Sequence, residues 1–384
     1  MPNLAPKNNC TGCTACMAVC PNNCIKMMED ENGFPYPQPD PSACIECGQC
    51  EQVCPVFKET AYVNTPYAYA AISKDEHIRM ESSSGGIFTE LAKYFIEQGG
   101  VVYGAAYDEH FNVKHICVDN IDSLSALRGA KYAQSDLSDT FTEIADRLSQ
   151  GQKVLFSGTP CQVGGLKSFI GNNDNLFCVD FVCHSVPSPM AWQAYIKYRA
   201  QSDANGEQPV AINLRSKETG WSRYRYANVF EYANGTKHTA TSSQSLFMKL
   251  FVGDYINRES CENCSFKGYG RDSDFTLGDF WGIWDIDRDM DDDKGTSVVL
   301  VQSEKGQAIW RDISDRIICK QVTLEQASQQ NPSMLTNSNS RTEREDILAK
   351  IREGKIGECE ELFVQPQTSL ITRIKGKIKR ILKI

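Results

Sequence analysis

The sequence predicts a small α+β module, then a larger α/β core, then a C-terminal amphipathic helix. Three observations predict this order. Two metal-type cysteine ladders fill the first 54 residues, strand–loop–helix segments alternate from Tyr67 to Val301, and an apolar stripe with basic flanks runs over residues 371–384.

The ladders are Cys10, Cys13, Cys16, Cys20 and Cys44, Cys47, Cys50, Cys54. Each reads C-x2-C-x2-C-x3-C-P, closed by Pro21 and Pro55. This is the pattern of a ferredoxin-like module with two [4Fe–4S] clusters. Three thiolates two residues apart wrap three corners of one cube, and the fourth reaches the other cube. Cys10, Cys13 and Cys16 are therefore expected with Cys54, and Cys44, Cys47 and Cys50 with Cys20. The doubled, crossing pattern outweighs zinc or coincidence. Such clusters move single electrons, so residues 1–57 read as an electron-transfer domain. Pro35, Pro37, Pro39 and Pro41 lie between the ladders and favour extended chain over helix.

The chain has 384 residues and a net charge of −9. That length holds two or three domains. The acidic balance argues against nucleic-acid binding, which needs a cationic face. No apolar run reaches the roughly 18 residues of a membrane span, and residues 1–9 show no apolar signal region. The cysteines are arranged for metal, and cluster thiolates suit a reducing, cytoplasmic compartment.

Phe57 to Pro66 reads as a linker. Tyr67–Ile72 is a strand candidate. Ser82-Ser-Ser-Gly-Gly86 leads into a helix with apolar residues at Ile87, Phe88, Leu91, Tyr94 and Phe95, stopped by Gly99 and Gly100. Val101–Ala106 and Lys153–Phe156 are further strands, the second ending in Ser157-Gly-Thr-Pro-Cys161 at a helix start. Leu176–Val182 is a buried-strand candidate that ends at Cys183-His184, and Val298–Val301 is another strand. Asp285–Asp293 reads as a solvated acidic loop.

At the end of the chain, Ile371, Ile374, Ile378, Ile381 and Leu382 share one helical stripe among Arg373, Lys375, Lys377, Lys379, Arg380 and Lys383. This amphipathic helix suits an anionic membrane surface, an acidic partner, or the protein's own body.

Nine cysteines lie outside the ladders. Cys161 sits at a strand-to-helix turn, Cys183 at a strand end, and Cys261 and Cys264 form a C-x2-C knuckle. Loops at strand ends can bring distant residues together. Four thiolates suit a third [4Fe–4S] cluster or a structural zinc, or stay unligated. Cys24, Cys117, Cys178, Cys319 and Cys359 read as ordinary thiols. The Ser84-Gly85-Gly86 loop and the Gly158-Thr159-Pro160 turn open helices whose N-termini attract anions. A capped helix is the plainer reading of each. Lys131 and Ser135 add a charge and a hydroxyl.

Together these segments resemble the family of coenzyme F420 hydrogenase/dehydrogenase beta subunits. The matching stretches are Ser82–Phe88, Gly99–Tyr107, Phe156–Lys167, Cys183–Pro189, Ser260–Phe266 and Leu277–Gly282. Ser185 departs from the glycine usual after Cys-His. The resemblance implies a flavoprotein core, divided into residues 67–150 and 151–330, followed by a helical tail over 331–384. It implies FAD near Ser84, Gly85, Gly86, Lys131, Ser135, Gly158, Thr159 and Pro160, and a third [4Fe–4S] cluster on Cys161, Cys183, Cys261 and Cys264. It does not fix the substrate, since similar proteins occur without the deazaflavin, often beside polysaccharide-synthesis enzymes.

Clusters carry single electrons and a flavin trades them for pairs. The expected activity is an iron–sulfur flavoprotein oxidoreductase joining a soluble donor or acceptor protein to a small-molecule substrate. His184, beside a thiol candidate, is a candidate proton donor; a structural histidine is the plainer alternative. The rival expectations are an electron-relay subunit without its own substrate, and a membrane-surface or scaffold protein using residues 371–384.

Overall fold

We describe residues 2–58 and 64–363 from a computed structural model of the chain. The amphipathic stripe over 371–384 lies outside the described residues.

The N-terminal module holds two one-turn helices, Ala15–Ala18 and Gln49–Gln52, around an antiparallel hairpin of β1 (Ile25–Glu29) and β2 (Pro35–Pro39). Pro35, Pro37 and Pro39 are thus extended, as expected, while Pro41 lies in the turn that follows β2. The ladders repeat one backbone trick. Gly12 (φ 68°) and Thr14 (φ 66°) match Glu46 (φ 54°) and Gly48 (φ 73°). Left-handed turns between the thiols curl each ladder around a common centre.

The core is built on an eight-stranded mixed sheet. Its strands are β3 (Tyr67–Ser73), β4 (Val101–Tyr107), β5 (Val113–Val118), β6 (Val154–Ser157) and β7 (Leu176–Phe181), with β11 (Phe275–Asp279), β12 (Ser297–Val301) and β13 (Ile317–Val322). The spatial order is β13-β3-β12-β11-β7-β6-β4-β5. β11, β7, β6 and β4 run parallel, while β12, β3, β13 and β5 add antiparallel flanks. The parallel centre follows from the apolar runs Val154–Phe156 and Leu176–Val179, which suit burial on both faces. Helices Ile87–Glu97 and Pro160–Ile170 return the chain between these strands. Every expected strand of the core forms, as do both expected helices.

A second sheet is absent from the sequence expectations. β8 (Pro209–Ser216), β9 (Ala227–Tyr232) and β10 (Lys237–Thr241) form an antiparallel meander. It packs on the helices Pro189–Ala204 and Leu246–Val252 through Trp192, Tyr195, Phe230 and Phe247.

Two expectations need correction. Asp285–Asp293 is not simply a solvated loop. Asp292 accepts from both Nη atoms of the buried Arg79 at 2.7 and 2.6 Å, and Asp293 accepts from the Trp221 amide at 2.7 Å. Asn64, at the end of the supposed linker, donates to Gln302 Oε1 at 2.8 Å, so that end is pinned to the core.

The module is not a separate bead. Cys13, Ala15 and Val53 share one buried cluster with Val101, Phe141, Phe156, Val163 and Leu166. Among the described residues, no helix is long and apolar enough to cross a membrane.

Candidate functional site

The crossing of the ladders is visible in space. Cys10, Cys13, Cys16 and Cys54 line one small cavity. Burial pushes the Cys13 thiol up to about 11, with Cys10 and Cys54 adding to the rise. A larger cavity of about 190 Å³ is lined by Cys20, Cys44, Cys47 and Cys50. Cys24 lines it too, its Sγ 3.3 Å from Cys20 Sγ, so it is not an ordinary remote thiol. The first set lies against the core. A Cβ placed on Gly165 would stand 2.8 Å from both Cys13 Cβ and Sγ. The second set faces outward, with Cys47 exposed and Ile45 60% exposed beside it.

The four core thiols are brought together as well. Cys161 follows β6, at the start of the helix Pro160–Ile170, and Cys183 follows β7. Both therefore emerge at carboxyl ends of adjacent parallel strands, where open α/β sheets place their sites. The knuckle is laced to the Cys183 loop: Arg258 N–H donates to Val186 O and Ser188 N–H to Ile256 O, both at 2.9 Å. Phe266 packs on Gly164, which brings Cys264 to the Cys161 helix. Burial raises the Cys161 thiol, and Cys264, Cys183 and Cys261 raise it further. Burial pushes Cys183 up to about 11 and Cys261 to about 12, each also raised by neighbours of this group. Burial penalises the thiolate form of these cysteines, and a bound cation would offset that penalty.

Among the described residues, no group of three or more His, Cys, Asp or Glu side chains closes tightly enough for a single metal ion. This holds for the ladder thiols and the core thiols alike. Tight closure belongs to single-ion sites, and its absence from these wider quartets does not count against cubes.

Several groups surround the core quartet. Thr159 Oγ1 lies 3.1 Å from Cys161 Sγ. Lys267 Nζ donates to the carbonyls of Cys183, His184 and Ser333. His184 Nε2 stands 2.9 Å from Asp254 Oδ1, and Nδ1 is 3.3 Å from Ser333 Oγ. Burial would raise Asp254, but His184 and Asn339 outweigh it and hold the carboxyl low. Both ring nitrogens of His184 thus face protein groups.

The residues expected at a flavin form the first of two groups. The Ser84–Gly86 loop is committed inward. Ser84 Oγ donates to Thr296 O at 3.0 Å, Gly85 N–H donates to Ser297 Oγ at 2.9 Å, and a Cβ on Gly85 would meet Ala71 O at 2.4 Å. These glycines permit close packing on the sheet. Gly158 likewise packs on Phe156, and Thr159 with Gln162 forms a capping box on the Pro160 helix. Ser135 accepts from Gln162 Nε2 at 2.9 Å, which joins it to that turn. Lys131 Nζ donates to Ala126 O and Arg128 O, and burial pulls it down to about 7.

The second group was not foreseen. Arg215 donates to Tyr132 Oη at 3.0 Å and to Asp279 Oδ2 at 2.8 Å, and its guanidinium lies 4.5 and 4.2 Å from the Trp221 and Tyr226 rings. Lys217 donates to Ser84 O at 2.8 Å. Burial, with Arg79 and Arg215, pulls it to about 7. Around this stretch Ser83 Oγ, Tyr107 Oη, His115 Nδ1, Arg128 Nε and Arg215 Nε are buried without partners. Buried polar atoms of this kind are where an ordered water or a bound polar group is expected. Ser83 and Tyr107 fall in the stretches that carry the family resemblance, while His115 and Arg215 had no sequence signal.

Family models match three stretches of the chain. Residues 68–141 match the N-terminal model of the coenzyme F420 hydrogenase/dehydrogenase beta subunit, residues 151–327 match its C-terminal model, and residues 9–57 match a 4Fe-4S dicluster domain. The chain belongs to the family of coenzyme F420 hydrogenase/dehydrogenase beta subunits and carries an N-terminal [4Fe–4S] dicluster domain. It is 23% identical over 197 residues to one of the subunits of the F(420)H(2) dehydrogenase of Methanosarcina mazei, covering 46% of this chain and 55% of that protein. It is 37% identical over 73 residues to the adenylylsulfate reductase beta subunit of Megalodesulfovibrio gigas, covering 18% of this chain and 41% of that one. It thus spans about half the length of the curated relatives it matches. A chain of the F420-reducing [NiFe] hydrogenase complex from Methanosarcina barkeri aligns with a TM-score of 0.46 at 17% identity, over 79% of this chain and 94% of that chain.

Proposed function

We propose that the chain is an iron–sulfur flavoprotein that exchanges electrons with a protein partner at its outer thiol set and with a small molecule at its core. The observation that carries this reading is the convergence of Cys161, Cys183, Cys261 and Cys264 beside the inner ladder set. Cys161 and Gly165 lie on one helix face, about 6 Å apart along the axis, and Gly165 touches Cys13.

When bound, cubes exchange single electrons and FAD trades them for pairs. The chain's residues do the rest. The ladder quartets hold two cubes and the core quartet a third, with Thr159 and Lys267 fixing its loops. The unpartnered atoms of Ser83, Tyr107, His115, Arg128 and Arg215 fit the polar edge of FAD, and Lys131, Ser135 and Thr159 complete that wall. Ser84, Gly85, Gly86, Gly158 and Pro160 support it from behind. His184 orients the Cys183 loop.

A second reading is a relay subunit that passes charge to a separate catalytic protein. The exposed Ile45 beside Cys47 favours a protein contact there, and the Methanosarcina mazei and Megalodesulfovibrio gigas relatives are both named as subunits. The test is anaerobic purification followed by acid extraction and reduction with dithionite. The proposal expects about one FAD per chain and turnover of a small acceptor without a partner. Absence of flavin would overturn it, and flavin-loaded protein that turns over only with a partner would favour the relay.

A further inference from the structure

Arg258 is 1% exposed, one of the largest fully buried side chains. Its Nε donates to Cys10 O at 2.8 Å, Nη1 to Gln134 Oε1 at 2.8 Å, and Nη2 to Pro35 O at 3.0 Å. The guanidinium lies 4.1 Å from the Tyr36 ring centroid. Gln134 in turn donates to Thr11 O at 3.3 Å, so two core residues grip the Cys10–Gly12 turn. At its other end, Arg258 O accepts from Cys261 N–H at 3.1 Å. One residue therefore bonds to the loop of an inner ladder thiol and to the loop of a core thiol.

Its acceptors are all neutral, and no carboxylate pairs with it among the described residues. A buried cation without an anion is expensive. Among the described residues no carboxylate offsets the charge of Arg258, and negative charge placed beside it would. The thiol set beside it supplies that charge when it is ligated.

We propose that Arg258 is a positioning residue that locks the inner ladder set to the core set, and that its charge raises the reduction potential of the centre held by Cys10, Cys13, Cys16 and Cys54. A fixed positive charge stabilises the added electron at short range in a poorly screened interior. The inference rests on residues 10–54 being cluster thiols.

The test is potentiometric titration of the anaerobic full chain, followed by electron paramagnetic resonance, for the parent, Arg258→Gln and Arg258→Lys. In Arg258→Gln, one of the two module signals shifts to lower potential while the other stays. Arg258→Lys restores that potential toward the parent. Hydrogen exchange over residues 10–16 rises in both variants, because neither keeps all three bonds. Unchanged potentials in iron-loaded Arg258→Gln would overturn the proposal. If that variant fails to fold, Arg258→Lys decides: parent-like exchange over residues 10–16 would overturn the lock. Parent protein with fewer than about eight irons per chain would instead sink the cluster reading itself.

Discussion

The ladder thiols and the core thiols solve one problem in opposite ways. In the module, the eight ladder cysteines lie within 45 residues, and left-handed turns at Gly12, Thr14, Glu46 and Gly48 curl them locally. In the core, four cysteines spread from position 161 to 264 meet only because β6 and β7 are neighbours and the 257–258 segment is laced to the Cys183 loop. The module's sites are written in the chain; the core site is made by topology. A local site should thus survive damage elsewhere, and a topological one should depend on the fold around it.

The strongest way to separate the two is by ligand removal. Cys261→Ser is expected to lower iron from about 12 to about eight per chain while leaving both module signals intact. Cys13→Ser should instead remove about four irons from the module and leave the core set loaded. Loss of all iron in either variant would erase the distinction between local and topological sites.

The interface between the regions is tested next by Gly165→Ala. The added methyl would press on Cys13, and a cost of about 1–3 kcal/mol is expected for overpacking. The readout is the urea midpoint. A midpoint equal to the parent's would mean that the module does not lean on this helix.

A smaller effect is expected at His184. His184→Ala leaves Asp254 its contacts with Asn339, so about 1–2 kcal/mol of stability should be lost. The rate with a small acceptor should not change. A collapsed rate with unchanged stability would restore the proton-donor role.

A further effect, read as a slope rather than a loss, is the pH dependence from Lys217. Its folded value of about 7 lies below the ordinary 10.5, because of burial and then Arg79 and Arg215. Between these values the unfolded chain binds more protons, so this group makes stability rise as pH increases from about 7, and its burial cost is fully present below that. Lys217→Met should flatten the slope of urea midpoints between pH 7 and 9. An unaltered slope would show that Lys217 is charged in the folded protein.

The module was legible because its cysteine spacing is short-range, and the expected partner Cys54 lines the first ladder's cavity. The parallel strands were legible from apolar runs such as Val154–Phe156. The meander β8–β10 was not, since Pro209–Ser216 is mixed in burial and carries little pattern. The Ser84–Gly86 loop misled in part. Its glycines looked made for a phosphate, yet Gly85 packs on Ala71 and Ser297. A glycine needed for packing and one needed for a ligand look alike in sequence. Arg258 and Arg215 were passed over because burial and ring stacking of an arginine depend on residues far away in the chain.

The account depends most on the core quartet holding a cube. Iron and acid-labile sulfide should be counted, with zinc, on protein purified without oxygen. About 12 irons, an equal amount of sulfide and no zinc are predicted. About eight irons with one zinc would contradict the account.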